Sequence, residues 1–385
     1  MFDFKAPLRD QLEPRRLTIA MWDFSFLLRR AKGEGFEDWD QCLDELVDRG
    51  YNTVRIDTFP DLILAARGGK DEFLFPCIDR PHFCWGNVTA DVTVRPVEQI
   101  PLFLRKMKDR GLKIILSAWW WGGKIGLAPR SPQEATDAWR ATLKLMDEHG
   151  LADDVLYVDV TNETSFPWSD LMPAGGVPTP GTPRRWHRTE EQRNWIGQTF
   201  DSMLSSLQNE FPHYRYTVSM TGGSPDETIA WDMQNVDVLD YHLFLEDPRF
   251  HARSRFSDYS KALRNIAPHG EETFAEFSRR AEIAVDKVGP MMAKWLWQKM
   301  QRVKTLGEAW CVPVTNTESY GPWFMAEHDD VDWNWLKDWC EMGVRMSAEA
   351  ELWGTTTCNF ASPQITDLWA DKEWHQRLNR MFLES

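Results

Sequence analysis

Positive charge is scarce in this chain. Its 385 residues carry 44 Lys and Arg against 59 Asp and Glu, for a net charge of −15. Binding nucleic acid takes clustered cations against phosphates, so nucleic acid is excluded as an expected partner. Surplus negative charge favours solubility instead. Long apolar runs are also missing. No segment has eighteen uninterrupted apolar residues, and the opening MFDFKAPLRDQLEPRRL lacks an apolar core. Neither a membrane span nor a secretory leader is expected, and a cytoplasmic protein is the simplest expectation. The six cysteines, Cys42, Cys77, Cys84, Cys311, Cys340 and Cys358, fit no zinc ribbon and no disulfide framework. Reduced thiols are expected. Nine histidines include no His-x-His pair, which weighs against a metal-dependent barrel hydrolase. No metal or cofactor is expected. No glycine-rich phosphate loop follows the first apolar segment, which weakens an open doubly wound sheet.

What is abundant is tryptophan, with 21 residues. A buried indole N–H needs a partner, so a core alone rarely asks for so many. Several fall in polar, Gly/Pro-rich stretches: Trp85, Trp119, Trp120, Trp121, Trp168 and Trp323. Flat aromatic faces in loops suit the apolar faces of sugar rings. Packing within a loop is the plainer reading for any single one.

Eight short apolar runs alternate with helical patterns. They are LTIAMW (17–22), NTVRID (52–57), LKIILS (112–117), DVLYVDV (154–160), YRYTVSM (214–220), VDVLDY (236–241), CVPVT (311–315) and AEAELW (348–353). Most are continuous and rich in Val, Ile and Leu, as in parallel strands covered on both faces. Between the first two, Trp39, Cys42, Leu43, Leu46 and Val47 recur at helical spacing, with Gly50 as the stop. SPQE at 131–134 reads as a helix start, with Ser131 as cap and Glu134 reaching back. The pattern predicts an α/β fold, a (β/α)8 TIM barrel forming one catalytic domain over 1–385. Such barrels need about 250 residues, so roughly 130 are insertions. These are expected at about 58–95, 166–188 and 243–295, after strands 2, 4 and 6.

Two stretches, TNETSFPW and TNTESYGPW, then stand out. Glu163 falls just past strand 4 and Glu318 just past strand 7. In a barrel both carboxylates lie on the C-terminal rim and face one another across its mouth. Opposed carboxylates suit glycosidic cleavage: one protonates the leaving oxygen and the other attacks the anomeric carbon.

At these residues the chain resembles clan A of the glycoside hydrolases, the cellulase-like (β/α)8 enzymes. Asn162-Glu163 is similar to that clan's strand-4 Asn–acid/base pair, and Glu318 to its strand-7 nucleophile. Arg55 in NTVRID looks like the arginine that supports the nucleophile. Tyr241 and His242 in DYHLF resemble the strand-6 aromatic hydroxyl and histidine, and Trp353 in ELWG the strand-8 platform. Trp119 and Trp120 add candidate sugar platforms. There are departures. Thr164 stands where a proline is usual, SAWWWGG replaces a histidine after strand 3, and Phe244 takes the tyrosine position of the usual His-x-Tyr.

The resemblance implies a retaining β-glycosidase acting on a carbohydrate substrate, with Glu163 and Glu318 catalytic. It implies Glu318 held ionised by Arg55 and carboxyl groups about 5–5.5 Å apart. Two rivals are a non-catalytic sugar-binding barrel and a metal-dependent hydrolase.

Overall fold

The computed structural model describes residues 12–77, 90–164, 189–221, 233–256, 271–322 and 332–385. Eight parallel segments form the barrel wall. They are β1 (Leu17–Asp23), β2 (Thr53–Asp57), β3 (Lys113–Ser117), β4 (Val155–Asp159), β5 (Tyr216–Thr217, resuming at Met220–Thr221), β6 (Leu239–His242), β7 (Val314–Asn316) and β8 (Gly354–Thr356). β1 pairs with β2 on one side and β8 on the other. The first part of β5 pairs with β4 and its continuation with β6. The Asp237 N–H also donates to the Tyr216 carbonyl at 2.9 Å. The two edges of the sheet are thus one stretch of chain, and the ring closes through it.

The outer layer contains α1 (Trp39–Asp48), α2 (Pro96–Lys108), α3 (Pro132–Glu148), α4 (Glu190–Glu210), α5 (Glu271–Trp310), α6 (Asn334–Glu349) and α7 (Lys372–Leu383). The Asp38 side chain caps α1, accepting from the Asp40 and Gln41 N–H groups. Trp39, Cys42, Leu43 and Leu46 are buried, but Val47 is 43 % exposed, so the apolar stripe is narrower than its spacing implies. Gly50 ends this turn at φ +81°, the left-handed region glycine enters freely. Ser131 caps α3, but the Glu134 carboxylate takes the Arg130 N–H rather than that of Ser131. Among the described residues no helix is long and apolar enough to cross a membrane.

Two strand expectations shift. AEAELW is not the last strand: α6 runs to Glu349, and β8 starts only at Gly354. Ala348 lies in the last turn of that helix, Ala350 and Leu352 pack with the helix-side core, and Trp353 joins the barrel floor. The fifth strand breaks at Val218-Ser219, where Ser219 turns to serve the site. Between β2 and α2 lie a helix, Pro60–Arg67, and an antiparallel ribbon of Phe73–Phe75 with Val92–Val94. A helix at Pro248–Ser254 precedes α5. The stretch 166–188 lies outside the described residues, as do Cys84, Trp85, Trp168 and Trp323.

Side-chain direction alternates along each strand. On β1, Leu17 and Ile19 point into the barrel, where they meet Ile115, Tyr157, Val238 and Trp353. Ala20 and Trp22 point out to the helices. The interior is therefore apolar at its floor. Towards the C-terminal ends of the strands the inward positions become polar: Asp23, Arg55, Ser117, Asp159, Asp240 and His242.

Candidate active site

The site is built around one buried guanidinium. Arg55 is in phase with Thr53 and Asp57 on β2, opposite the outward Val54 and Ile56. Its Nη1 donates to Glu318 Oε1 at 2.7 Å and to Asp23 Oδ1 at 3.0 Å. Its Nη2 donates to Asp159 Oδ2 and Ser117 Oγ, both at 3.0 Å, and to the side-chain Oδ1 of Asn162. A planar fork of fixed donors suits this task. Arg55 is fully buried and ties the carboxylates of Asp23, Asp159 and Glu318 together.

Glu163 follows β4 with φ 52° and ψ 28°, a left-handed backbone that non-glycine residues seldom adopt. The Glu163 N–H donates to Ser219 Oγ at 2.9 Å, and the Ser219 N–H donates to Asp159 Oδ1 at 2.7 Å. Ser219 Oγ in turn donates to Asn162 Oδ1 at 3.3 Å. With that oxygen occupied, the Asn162 amide is fixed with Nδ2 as its donor end. Strained backbone held by this many bonds is typical of functional positions.

His242 sits between the two glutamates. Its Nδ1 lies 3.1 Å from Glu163 Oε1 and 3.7 Å from Glu318 Oε1. One ligating atom from each of the three residues lies within 4.8 Å of the others. Behind the ring, Nε2 meets Thr317 Oγ1 at 3.2 Å, and that hydroxyl donates to Asp240 Oδ2 at 2.8 Å. The Tyr157 hydroxyl donates to the same Asp240 oxygen at 3.2 Å.

Burial and charge compete here. Burial pushes the Glu318 carboxyl up to about 8, although His242 and Arg55 pull it down. Arg55 and His242 thus favour the ionised Glu318 that the resemblance implies, while the lost hydration works against them. Asp23 is raised to about 6 for the same reason, against Arg55 and His242. Burial would lower His242, but Glu318, the bond to Glu163, and Asp240 outweigh it and hold the imidazolium up to about 9. The three donors could in principle ligate a divalent cation. A protonated imidazole and the adjacent Arg55 oppose that.

Residues 19–383 match the family model described as sugar-binding cellulase-like. The chain belongs to this family. Among solved structures, a candidate glycoside hydrolase from Parabacteroides distasonis superposes with TM-score 0.77 at 27 % identity, over 95 % of this chain and 93 % of that one. An endocellulase from the archaeon Pyrococcus horikoshii follows at TM-score 0.52 and 13 % identity, over 95 % and 92 %. An endo-β-1,4-mannanase from Thermotoga petrophila gives 0.50 and 13 %, over 95 % and 77 %. The last two share the fold. No curated protein matches the chain.

In this cellulase-like chain the fold brings Arg55, Asn162, Glu163, His242 and Glu318 together. It separates three other expected site residues. Tyr241 alternates with the inward Asp240 and His242, so its ring faces the helix layer, where the Lys299 ammonium lies 5.5 Å from its centre. It does not supply a hydroxyl beside Glu318. Trp353 precedes β8 and lies on the barrel floor, its indole N–H donating to the Pro14 carbonyl at 2.9 Å. The floor is the opposite end from the mouth, so it is no sugar platform. Trp120 takes a left-handed backbone at φ 54° that turns its indole into the core, bonded to Thr161 Oγ1. Only Trp119 of that pair is half-exposed.

Sequence reasoning missed Asp23, Ser117, Asp159, Ser219, Asp240 and Thr317. A signal was available for three of them. Asp23, Asp159 and Asp240 are acidic residues in otherwise apolar strands, each in the inward phase. A carboxylate there needs a buried partner.

Proposed function

We propose that this chain is a retaining glycoside hydrolase that cleaves β-linked glycosides or short oligosaccharides. The observation that carries the reading is the Glu163–His242–Glu318 cluster, with donor atoms within 4.8 Å of one another at the barrel mouth. Retaining enzymes hold their two carboxyl groups about 5–5.5 Å apart, whereas inverting ones leave about 6.5–9.5 Å for a water. Family membership and the Parabacteroides neighbour support a glycoside hydrolase independently.

In this mechanism Glu163 donates its proton to the glycosidic oxygen as the bond to the anomeric carbon breaks. Ionised Glu318 attacks that carbon from the opposite face, giving a covalent glycosyl ester. Glu163, now a carboxylate, takes a proton from water, and the resulting hydroxide equivalent displaces Glu318. That step restores the Glu163 proton, and His242 Nδ1, 3.1 Å from Glu163 Oε1, holds the carboxyl group in place through the cycle. Asn162 Nδ2 is the donor placed for a sugar hydroxyl.

The test begins with nitrophenyl glycosides of several sugars in both anomers. Hydrolysis of a β-glycoside with retained configuration is expected. Glu318→Ala should lose activity on every substrate by several orders of magnitude. Glu163→Ala should still cleave a dinitrophenyl glycoside and then stall as the glycosyl-enzyme. Azide should release that stall as a β-glycosyl azide, whereas with Glu318→Ala only an α-azide can form. Product NMR reads the configuration. Two fully active mutants would remove both glutamates from the mechanism. Sugar binding without turnover by the wild type would identify a binding barrel instead.

A further inference from the structure

The geometry points to Asp23 as a specificity residue that accepts a hydrogen bond from a hydroxyl of the sugar held at Glu318. This inference rests on the hydrolase reading above. Asp23 is the last residue of β1, where the register against β2 shifts after Met21, and its side chain reaches the inward Arg55. Its backbone is left-handed at φ 39°, so the strand ends in a conformation that tertiary bonds must hold. Its side chain is 1 % exposed. Oδ1 accepts from Arg55 Nη1 at 3.0 Å and from the Trp119 indole N–H at 3.2 Å. Oδ2 is buried and accepts no hydrogen bond.

A carboxylate oxygen out of water with no donor is costly, and a substrate O–H is the donor that would complete it. The location selects which sugar. Asp23 Oδ1 and Glu318 Oε1 share Arg55 Nη1, which places them within two hydrogen-bond lengths of each other. That is about the reach across one sugar ring. A sugar whose anomeric carbon meets Glu318 therefore brings one of its own hydroxyls to Asp23. Trp119 supplies the wall of the same subsite. Its indole is tied to Asp23 and its backbone N–H to Asp57 Oδ2 at 2.9 Å, and its ring meets Phe24 edge-on at 5.5 Å. The platform and the acceptor are thus one rigid unit. Burial raises the Asp23 carboxyl to about 6, and a hydrogen bond from the sugar to the ionised form would work against that rise.

The alternative is that Asp23 serves only as a counter-charge for Arg55. Substrate selectivity separates the two. The best nitrophenyl β-glycoside of the panel would be compared with its 2-, 3-, 4- and 6-deoxy analogues, for wild type and Asp23→Asn. We expect Asp23→Asn to lower kcat/KM for the parent about 10- to 100-fold, the loss of one hydrogen bond to a charged group. One deoxy analogue should be a poor substrate of the wild type and should lose nothing further in the variant. Because the readout is a ratio between substrates, partial misfolding lowers both arms alike and does not mimic the result. Asp23→Ser should repeat the pattern. Equal loss on every substrate, or no loss on any, would overturn the assignment. If the wild type hydrolyses no glycoside, the hydrolase reading fails on its own. Asp23 is then judged by titrating the free sugar and its deoxy forms on tryptophan fluorescence. Weaker binding of the parent alone supports it, and unchanged binding overturns it.

Discussion

His242 shows how a single residue sets the chemistry of its neighbours. Its imidazolium is the largest pull opposing the burial that raises Glu318. His242→Asn removes that cation, so the Glu318 carboxyl should rise further. The nucleophile must be ionised, so activity grows as pH rises through its pKa, and the acidic limb of kcat/KM should move to higher pH. At pH 7 the rate should fall about tenfold for each unit of that shift. A pH–rate profile checks this, and an unmoved limb would remove His242 as the electrostatic partner. Residues of this kind were legible in the sequence where a polar motif closes an apolar strand, as in Asn162-Glu163 and His242. Asp23, Asp159 and Asp240 were less legible, because a lone acid in a strand has meaning only once its phase is known.

Elements decide which side of the wall a residue faces. Tyr241 and Trp353 adjoin strands that build the site, yet alternation sends one outward and chain position sends the other to the floor. Tyr241→Phe and Trp353→Phe should therefore leave KM within about twofold of wild type. Trp353→Phe should still cost about 1–2 kcal/mol of stability through its lost bond to Pro14. Steady-state kinetics and thermal melts separate the two effects, and a large rise in KM for either would restore it to the sugar site. Gly343 marks another element-scale constraint. It lies inside α6, where Ala would ordinarily help a helix. A Cβ there would sit 2.4 Å from Tyr320 Cδ1, and that ring is fully buried against the segment that carries Glu318. Gly343→Ala should lower stability by about 1–3 kcal/mol despite its better helix propensity. A melting temperature equal to or above wild type would show that α6 has room to shift.

Across the whole molecule, the buried polar interior ties stability to pH. Burial raises Asp23 to about 6, Asp61 to about 7 and Glu318 to about 8, and the carboxylates around His242 hold it up to about 9. The unfolded chain gives up carboxyl protons near pH 4 and His protons near pH 6.5. Between roughly pH 4 and pH 9 the folded state therefore holds more of these protons than the unfolded state. Stability from these groups is full at the acid end and is lost as pH rises through the folded values. His375 works the other way. Burial lowers it to about 4, so its contribution is present above about 6.5 and lost as pH falls towards 4. Melting temperature should peak at mildly acidic pH and decline towards pH 9. Asp61→Asn should flatten the decline. Melts between pH 5 and 9 test this, and a midpoint that climbs steadily with pH would contradict it.

The sequence by itself determined the class of fold, the order of strands and helices, and the catalytic candidates, since these rest on local periodicity and short motifs. Glu163 and Glu318 were recognisable because strand ends are where barrel sites form, and strand ends are visible in one dimension. Tertiary structure alone decided three things. It assigned the inward and outward faces, and so moved Tyr241, Trp120 and Trp353 away from the cleft. It joined Asp23, Asp159 and Glu318, far apart in the chain, on one guanidinium. It also set the balance between burial and charge at Glu318. Each depends on which side chains lose water together, a property of the closed barrel that no local stretch of residues carries.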